Sequence, residues 1–178
     1  MKIHQDTQWI YQNDLNNSVR YVLGIKGKNP LICIGINPSI AEPDKLDNTL
    51  RSVKRISVLN NFDGWVMLNI YPQRSTDPEK IHIKCDNRIH DRNCMIIENL
   101  LKQSTQKSIW AAWGNNIENR PFLYQCLRDI YNITKVHQCN WIIFGKITKR
   151  GHPHHPLYLN SAVKPESFNM GLYINNFL

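Results

Sequence analysis

The chain has 178 residues, of which 42% are hydrophobic and 20% are charged, and its formal net charge is +8. This length suits a single domain with a core of its own, so we treat residues 1–178 as one domain. No apolar run approaches the about 20 residues that a membrane span needs, and the first residues lack the apolar stretch of a signal peptide. We therefore expect a cytoplasmic protein without a membrane partner, and the basic charge favours a polyanionic partner such as nucleic acid.

Five apolar runs predict strands. The first, residues 19–25, alternates and is followed by "KGKNP", which is typical of a hairpin turn, so we expect it to be antiparallel at an edge of the sheet. The other four are continuous and predict strands buried on both faces. They lie at residues 31–36, 65–70, 108–113 and 141–145.

Helical patterns fill the gaps between these strands. Apolar residues recur at helical spacing from Leu46 to Ile56, from Ile89 to Leu101 and from Leu123 to Tyr131. Asp44 or Asp47 can cap the first helix, and Asn119 can cap the third. The alternation predicts an α/β fold, a three-layer α/β/α arrangement with a mainly four-stranded parallel sheet plus an antiparallel edge strand. The core spans about residues 19–160, and a tail at about 161–178 is apolar enough to dock on the body or on a partner.

The five cysteines are widely spaced and form no CxxC pair, which predicts free thiols and no iron–sulfur cluster. They are Cys33, Cys85, Cys94, Cys126 and Cys139.

Polar side chains follow the four buried strands at their carboxyl ends, where open α/β sheets bind ligands. Asn37 in "GINPS", Asn69 in "LNIYPQR", Asn115 in "AAWGNN" and the loop at 152–155 in "GHPHHPLYL" are therefore expected to share one cleft. Asn37 can orient a water or a sugar, or can simply bond its own turn. Asn69 can read a pyrimidine edge, or can bond neighbouring backbone.

The histidine-rich loop invites a metal interpretation from His152, His154 and His155, but it matches no structural zinc pattern. We expect no metal and no cofactor. One histidine can stabilise negative charge on a leaving group, or all three can be solvated surface side chains.

Taken in order, these four segments resemble the uracil/thymine-DNA glycosylase superfamily. "GINPS" is similar to the first motif of its thymine and mismatch-uracil branch, with Ser39 in place of the motif's glycine. "MLNIYPQR" resembles the strand that ends in the base-reading Asn, "AAWG" resembles a later strand motif, and "HPLYL" resembles the terminal motif. The pattern "NPS…DNTLR…N…TDP…AWGN…HPLYL" is closer still to the uncharacterised domain of unknown function 1643, over about residues 19–160.

The glycosylase resemblance implies a uracil-DNA-glycosylase-like fold and a DNA-repair hydrolase that cleaves the N-glycosidic bond of a pyrimidine flipped out of DNA. It implies Asn37 and His155 as catalytic residues, and Asn69 and Tyr71 as base-binding residues. Phosphates would be bound by Ser39, Arg51, Arg74, Lys149 and Arg150, with Lys146 beside them. The cleft would be lined by Pro38, Trp113, Gly114 and Asn115.

Two alternatives stay open on the same scaffold. The protein can be a non-catalytic nucleobase or nucleotide sensor, or an enzyme that acts on free nucleotides. The role of the carboxylates Glu42, Asp44 and Asp47 is also open, since they can cap the following helix or one of them can activate the water.

Overall fold

The computed structural model describes residues 9–160 and 162–177. Within them the fold is α/β, with four α-helices and a mixed seven-stranded sheet of order β1-β2-β4-β3-β5-β6-β7. The strands are β1 (Trp9–Asn13), β2 (Arg20–Ile25), β3 (Pro30–Gly35), β4 (Gly64–Asn69), β5 (Ser108–Ala111), β6 (Asn140–Phe144) and β7 (Pro165–Ser167). The helices are α1 (Asn48–Leu59), α2 (Asn87–Gln103), α3 (Phe122–Val136) and α4 (Met170–Phe177).

The four central strands, β4, β3, β5 and β6, are parallel, as the continuous apolar runs predict. The first predicted strand, β2, is antiparallel to β4, but it is not at the edge, because β1 pairs with its outer side. The segment "KGKNP" is not a hairpin turn, since β2 and β3 are not neighbours. Instead, the carboxylate of Asp63 accepts hydrogen bonds from the backbone N–H groups of Lys28 and Asn29, at 2.8 and 2.7 Å.

Side-chain caps begin two of the predicted helices. The Asp47 carboxylate accepts from the backbone N–H of Leu50 at 2.8 Å at the start of α1, and Asp86 caps α2. The predicted cap of α3 at Asn119 is wrong, because Asn119 ends a 3₁₀ helix (Gly114–Asn119) and α3 begins after Pro121 without a side-chain cap.

Apolar side chains alternate between the two faces of the sheet. Ile32, Ile34 and Leu68 pack in the larger cluster with residues of α2, α3 and α4, whereas Cys33 and Met67 pack in the smaller cluster with α1. Because α1 follows β3, its first turn lies at the carboxyl ends of the parallel strands. This is where the predicted cleft would be.

All five cysteines are free thiols, as their spacing predicts. None of the described helices is long and apolar enough to cross a membrane.

The segment predicted as a C-terminal tail forms β7, which pairs antiparallel with β6, and α4, which packs on the body. The hydroxyl of Tyr173 on α4 accepts from Trp113 Nε1 at 3.0 Å and lies 2.7 Å from His152 Nδ1. Because the Glu118 carboxylate can only accept, a neutral His152 accepts the Tyr173 hydroxyl proton at Nδ1 and carries its own proton on Nε2. That nitrogen is 2.7 Å from the Glu118 carboxylate, so every member of this chain is paired.

Replacing Tyr173 by Phe should lower the free energy of unfolding by about 1–3 kcal/mol, because Trp113 Nε1 and His152 Nδ1 lose their common partner inside the protein. Tyr158→Phe is the matched control, since Tyr158 is 77% exposed and makes no side-chain hydrogen bond within the described residues. Urea unfolding of both variants measures the difference. Equal stabilities would contradict the assigned hydrogen-bond chain.

Candidate functional site

A cavity of about 310 Å³ opens at the carboxyl ends of β3 and β4, on the face covered by α1. Its polar lining brings together two predicted catalytic residues, Asn37 and His155. The lining also comes from β2, from the first turn of α1 and from the loops after β3 and β4. The residues are Arg20, Gly35, Ile36, Asn37, Ser39, Asp47, Asn48, Thr49, Leu50, Met67, Ser75, Thr76, Asn116 and His155.

Asn37 is held rigidly by its own amide nitrogen. Nδ2 donates to the backbone carbonyls of Ser75 at 2.9 Å and Pro38 at 3.1 Å, which ties the loop after β3 to the loop after β4. The side-chain oxygen makes no hydrogen bond within the described residues. The amide therefore braces its own turn, as one interpretation of "GINPS" predicts, and its oxygen is left as an acceptor, while a role in orienting a water or a sugar stays a prediction.

Asn69 is fully buried at the end of β4, and neither Nδ2 nor Oδ1 has a hydrogen-bond partner among the described residues. A Cβ atom at Gly35 would lie 3.5 Å from Oδ1, so the amide lies against a residue that lines the cavity. Two unmade hydrogen bonds on one buried amide cost a few kcal/mol, by general estimates. The expectation that the Asn69 side chain bonds neighbouring backbone is therefore wrong, and its role in reading a base stays a prediction, since the amide lies behind the cavity lining and not in it.

His155 presents a neutral imidazole to the cavity. Its Nδ1 accepts from the backbone N–H of Leu157 at 3.3 Å, which leaves the proton on Nε2 as a donor. Burial lowers the pKa of His155, and the charge of Asp47 opposes this only in part. Gly114 allows the close packing, because its φ of +64° favours glycine and a Cβ there would lie 3.2 Å from His155 Cβ.

Arg20 and Asn116 line the cavity, but the sequence analysis did not select either of them. The Arg20 side chain is only 2% exposed; Nη1 donates to the Ala41 carbonyl at 3.0 Å, and Nε has no partner within the described residues. Burial, together with the charge of Arg74, lowers the pKa of Arg20 to about 10. Nothing in the sequence distinguishes Arg20 from other basic residues near strand ends, because its burial comes from the tertiary fold.

Asp47 caps α1 through one carboxylate oxygen and also lines the cavity. Of the three carboxylates considered for activating a water, it is the one in the lining. Asp47 can therefore cap α1 with one oxygen and still present its carboxylate to the cavity, where it could activate a water.

Two residues predicted to contact base or phosphate are engaged elsewhere. Tyr71 packs in the larger cluster, outside the cavity lining, where its hydroxyl contacts His82 Nδ1 at 2.8 Å and burial raises its pKa to about 12. Arg74 donates to the backbone carbonyls of Ser39 and Ala41 at 3.1 and 2.9 Å, and its side chain is 9% exposed. It braces the loop after β3, and Ser39 itself lines the cavity.

Several other predicted residues are not among the residues that line the cavity. Pro38 and Trp113 are buried, and Asn115 accepts from the Thr148 hydroxyl at 2.8 Å. Arg150 forms an ion pair with Glu118, whereas the exposed residues Arg51 and Lys149 form no ion pair within the described residues.

No group of three or more His, Cys, Asp or Glu side chains in the described ranges is arranged to hold a metal.

Asn69→Leu should stabilise the protein by about 1–3 kcal/mol, because an apolar side chain of similar size removes an unpaired buried amide. Asn93→Leu is the matched control and should destabilise it by a similar amount, because Asn93 Nδ2 donates to the Asn69 backbone carbonyl at 2.9 Å. Chemical denaturation of both variants measures these opposite signs. A loss of stability in Asn69→Leu would mean that the amide is satisfied in the free protein.

The lowered pKa of His155 makes stability depend on pH. Below an ordinary histidine pKa of about 6.5, the unfolded chain binds a proton that the folded chain does not yet bind. The contribution of His155 to the free energy of unfolding is therefore fully present above about pH 6.5, and it is lost as the pH falls toward the pKa of His155 in the folded protein. Urea unfolding at about pH 7.5 and about pH 5.5 measures the fall in the free energy of unfolding between the two pH values. This fall should be larger for the wild type than for His155→Gln. Equal falls would contradict the lowered pKa of His155.

The family model described as "Protein of unknown function (DUF1643)" matches residues 20–157. No curated protein and no solved structure matches the chain. The resemblance to the uracil/thymine-DNA glycosylase superfamily stays a prediction. Because the family model covers well over half of the 178 residues, the chain belongs to DUF1643, a family of unknown function.

Proposed function

We propose that the cavity binds a pyrimidine nucleotide flipped out of DNA and that the protein hydrolyses its N-glycosidic bond. The observation that carries the proposal is the buried, unpaired amide of Asn69 next to a cavity lined by Asn37 and His155. A pyrimidine edge presents both acceptors and an N–H group. It therefore complements the two unused groups of this amide.

In the proposed reaction a water attacks C1′ of the sugar while the bond between C1′ and the base nitrogen breaks. Asn37 Oδ1 orients the water by accepting one of its hydrogen bonds, and an amide is too weak a base to do more. Asp47 is the carboxylate of the lining that can take the proton of the water. The sugar passes through an oxocarbenium-like state, by analogy with glycoside hydrolysis.

The bonding electron pair leaves with the pyrimidine, which becomes negatively charged. The Nε2–H of neutral His155 can donate to that charge from a fixed position, and such preorganised donors typically contribute about 10²-fold to the rate. Helices on both faces of four parallel strands agree with the glycosylase-like three-layer arrangement that the resemblance implies. The exposed basic residues Arg51 and Lys149 are the phosphate contacts proposed for the DNA.

An enzyme that acts on free nucleotides is the second candidate, and one observation favours it. Two of the arginines predicted to bind DNA phosphates, Arg74 and Arg150, are engaged by groups of the protein. A single nucleotide would need fewer phosphate contacts than a DNA strand does. A non-catalytic nucleotide sensor would use the same cavity without turnover.

The test is strand cleavage. Oligonucleotides that carry one uracil, a G·T mismatch or 5-hydroxymethyluracil are incubated with the protein and then treated with alkali, which breaks the chain at an abasic site. We expect cleavage by the wild type and a loss of about 10²-fold in His155→Asn, which keeps an acceptor at the Nδ1 position but removes the Nε2 donor. His155→Gln should retain part of the activity, since its amide nitrogen approximates Nε2.

Arg51→Ala should weaken oligonucleotide binding and lower its salt dependence, whereas Lys135→Ala, at the opposite end of the sheet, should change neither. Folded wild type that cleaves none of the three oligonucleotides would contradict the glycosylase proposal. Undiminished cleavage by His155→Asn would remove His155 from the mechanism.

A further inference from the structure

We propose that Arg20 forms a phosphate subsite inside the cavity, together with the first turn of α1. The proposal rests on the proposed function in one respect, since it names the charged group of the nucleotide that the same cavity would take. Nothing in the sequence motifs selects Arg20 for this role.

A guanidinium carries five N–H donors, and Arg20 directs one of them, on Nη1, to the Ala41 carbonyl. Its Nε is buried without a partner, and no carboxylate within the described residues forms an ion pair with this side chain, which is 2% exposed. Buried charges in proteins are normally paired, because desolvation of a lone ion is costly. An anionic ligand would supply the missing partner.

A second guanidinium, that of Arg74, donates to the same carbonyl oxygen of Ala41. Arg74 Nη2 donates to Ala41 at 2.9 Å, so two positive side chains meet at one atom of the loop after β3. Glu42, 3.8 Å from Arg74, is partly exposed and offsets the second charge from the solvent side. The charge of Asp47 raises the pKa of Arg20 in part, but the Asp47 carboxylate caps α1 and forms no hydrogen bond or ion pair with Arg20 within the described residues, so Arg20 Nε stays unpaired.

The rest of the lining near this point consists of donors that suit phosphate oxygens. Asn48 and Thr49 belong to the first turn of α1, a 12-residue helix, where backbone N–H groups and the helix dipole favour an anion, whereas the next N–H, of Leu50, already donates to Asp47. Ser39 and Thr76 line the same cavity and carry hydroxyls that make no hydrogen bond within the described residues, whereas the hydroxyl of Ser75, also in the lining, donates to the Asp77 carbonyl. A phosphate, with several acceptor oxygens in different directions, uses such a set more fully than a planar carboxylate does.

Two sources can supply this phosphate. One is the 5′-phosphate monoester of a free pyrimidine nucleotide, and the other is the phosphodiester that flanks a flipped nucleotide in DNA. Either would place the base and the phosphate of one nucleotide in one cavity, between Asn69 and Arg20.

The first experiment measures thermal unfolding in inorganic phosphate, with chloride at matched ionic strength as the reference. We expect phosphate to stabilise the wild type and Arg20→Met to lose about tenfold or more in phosphate affinity. Arg20→Met should still fold, because Arg74 keeps its bond to Ala41 and a buried charge has been removed. Arg20→Lys keeps the charge but not the planar fork of the guanidinium, so it should bind phosphate with intermediate affinity. This variant replaces Arg20→Met in the test if Arg20→Met does not fold. Lys54→Met, on the exposed side of α1, is the matched control and should bind as the wild type does.

The second experiment separates the two sources. A monoester source predicts that deoxyuridine 5′-monophosphate binds the wild type at least about tenfold more tightly than deoxyuridine, and that Arg20→Met removes the difference. A diester source predicts that only oligonucleotide binding depends on Arg20. The proposal is overturned if none of these phosphates stabilises the wild type, or if Arg20→Met binds them all as well as the wild type.

These outcomes are distinct from those of the glycosylase test. If Arg20→Met binds every phosphate as well as the wild type does and its cleavage of oligonucleotides is also unchanged, the subsite is overturned and the glycosylase proposal stands. Phosphate binding that depends on Arg20, with no cleavage of any oligonucleotide, would support the subsite and contradict the glycosylase proposal.

Discussion

The candidate site depends on the parallel pairing of β3 with β4, which brings Gly35 opposite Asn69 at the last position of both strands. The strands end at this pair, and the two segments stay joined for two more residues by hydrogen bonds from the Ile70 N–H to the Gly35 carbonyl and from the Tyr71 N–H to the Ile36 carbonyl, at 2.8 and 2.9 Å. Both polar atoms of the Asn69 side chain remain without a partner among the described residues. Glycine suits position 35, because a Cβ there would lie only 2.6 Å from Met67 Cε and 3.5 Å from Asn69 Oδ1. The register of two strands thus creates a buried amide without partners and the cavity beside it.

The loops around the cavity are braced by different means on its two sides. On one side the Asn37 amide and the Arg74 guanidinium bind backbone carbonyls of the loops after β3 and β4. On the other side Gly114 donates its backbone N–H to the Pro153 carbonyl at 3.0 Å, while His152 is bound between Glu118 and Tyr173. The side chains that could meet a ligand are therefore fixed before it arrives, which lowers the entropic cost of binding.

The sequence predicts the fold well where hydrophobic periodicity decides the structure. Four buried strands and three helices follow from apolar spacing, because parallel strands covered on both faces need continuous apolar runs. The outer strands were harder to predict. β1 was not predicted, and the partner of β2 was predicted wrongly, because strand order depends on tertiary packing that a local turn such as "KGKNP" does not encode.

The candidate site was predictable to the extent that topology determines it. Asn37, Asn69 and His155 lie at or next to one cavity because the carboxyl ends of parallel strands meet at one edge. Arg20 could not be predicted in this way, since it stands at the beginning of an antiparallel strand and reaches the same edge only through the reversed direction of β2. Tyr71 lies outside the lining because β4 ends at Asn69, so the alternation of an extended strand no longer decides where its side chain points, and it packs in the larger cluster instead.

The docking of α4 has a consequence for the order in which the protein is made. The residues that line the cavity lie between positions 20 and 155, yet the hydroxyl that holds His152 belongs to Tyr173. A growing chain on the ribosome thus contains every lining residue before it contains the group that orients the last loop. Since synthesis proceeds from the amino terminus, the ligand site is completed only when the final helix has emerged and packed against Trp113.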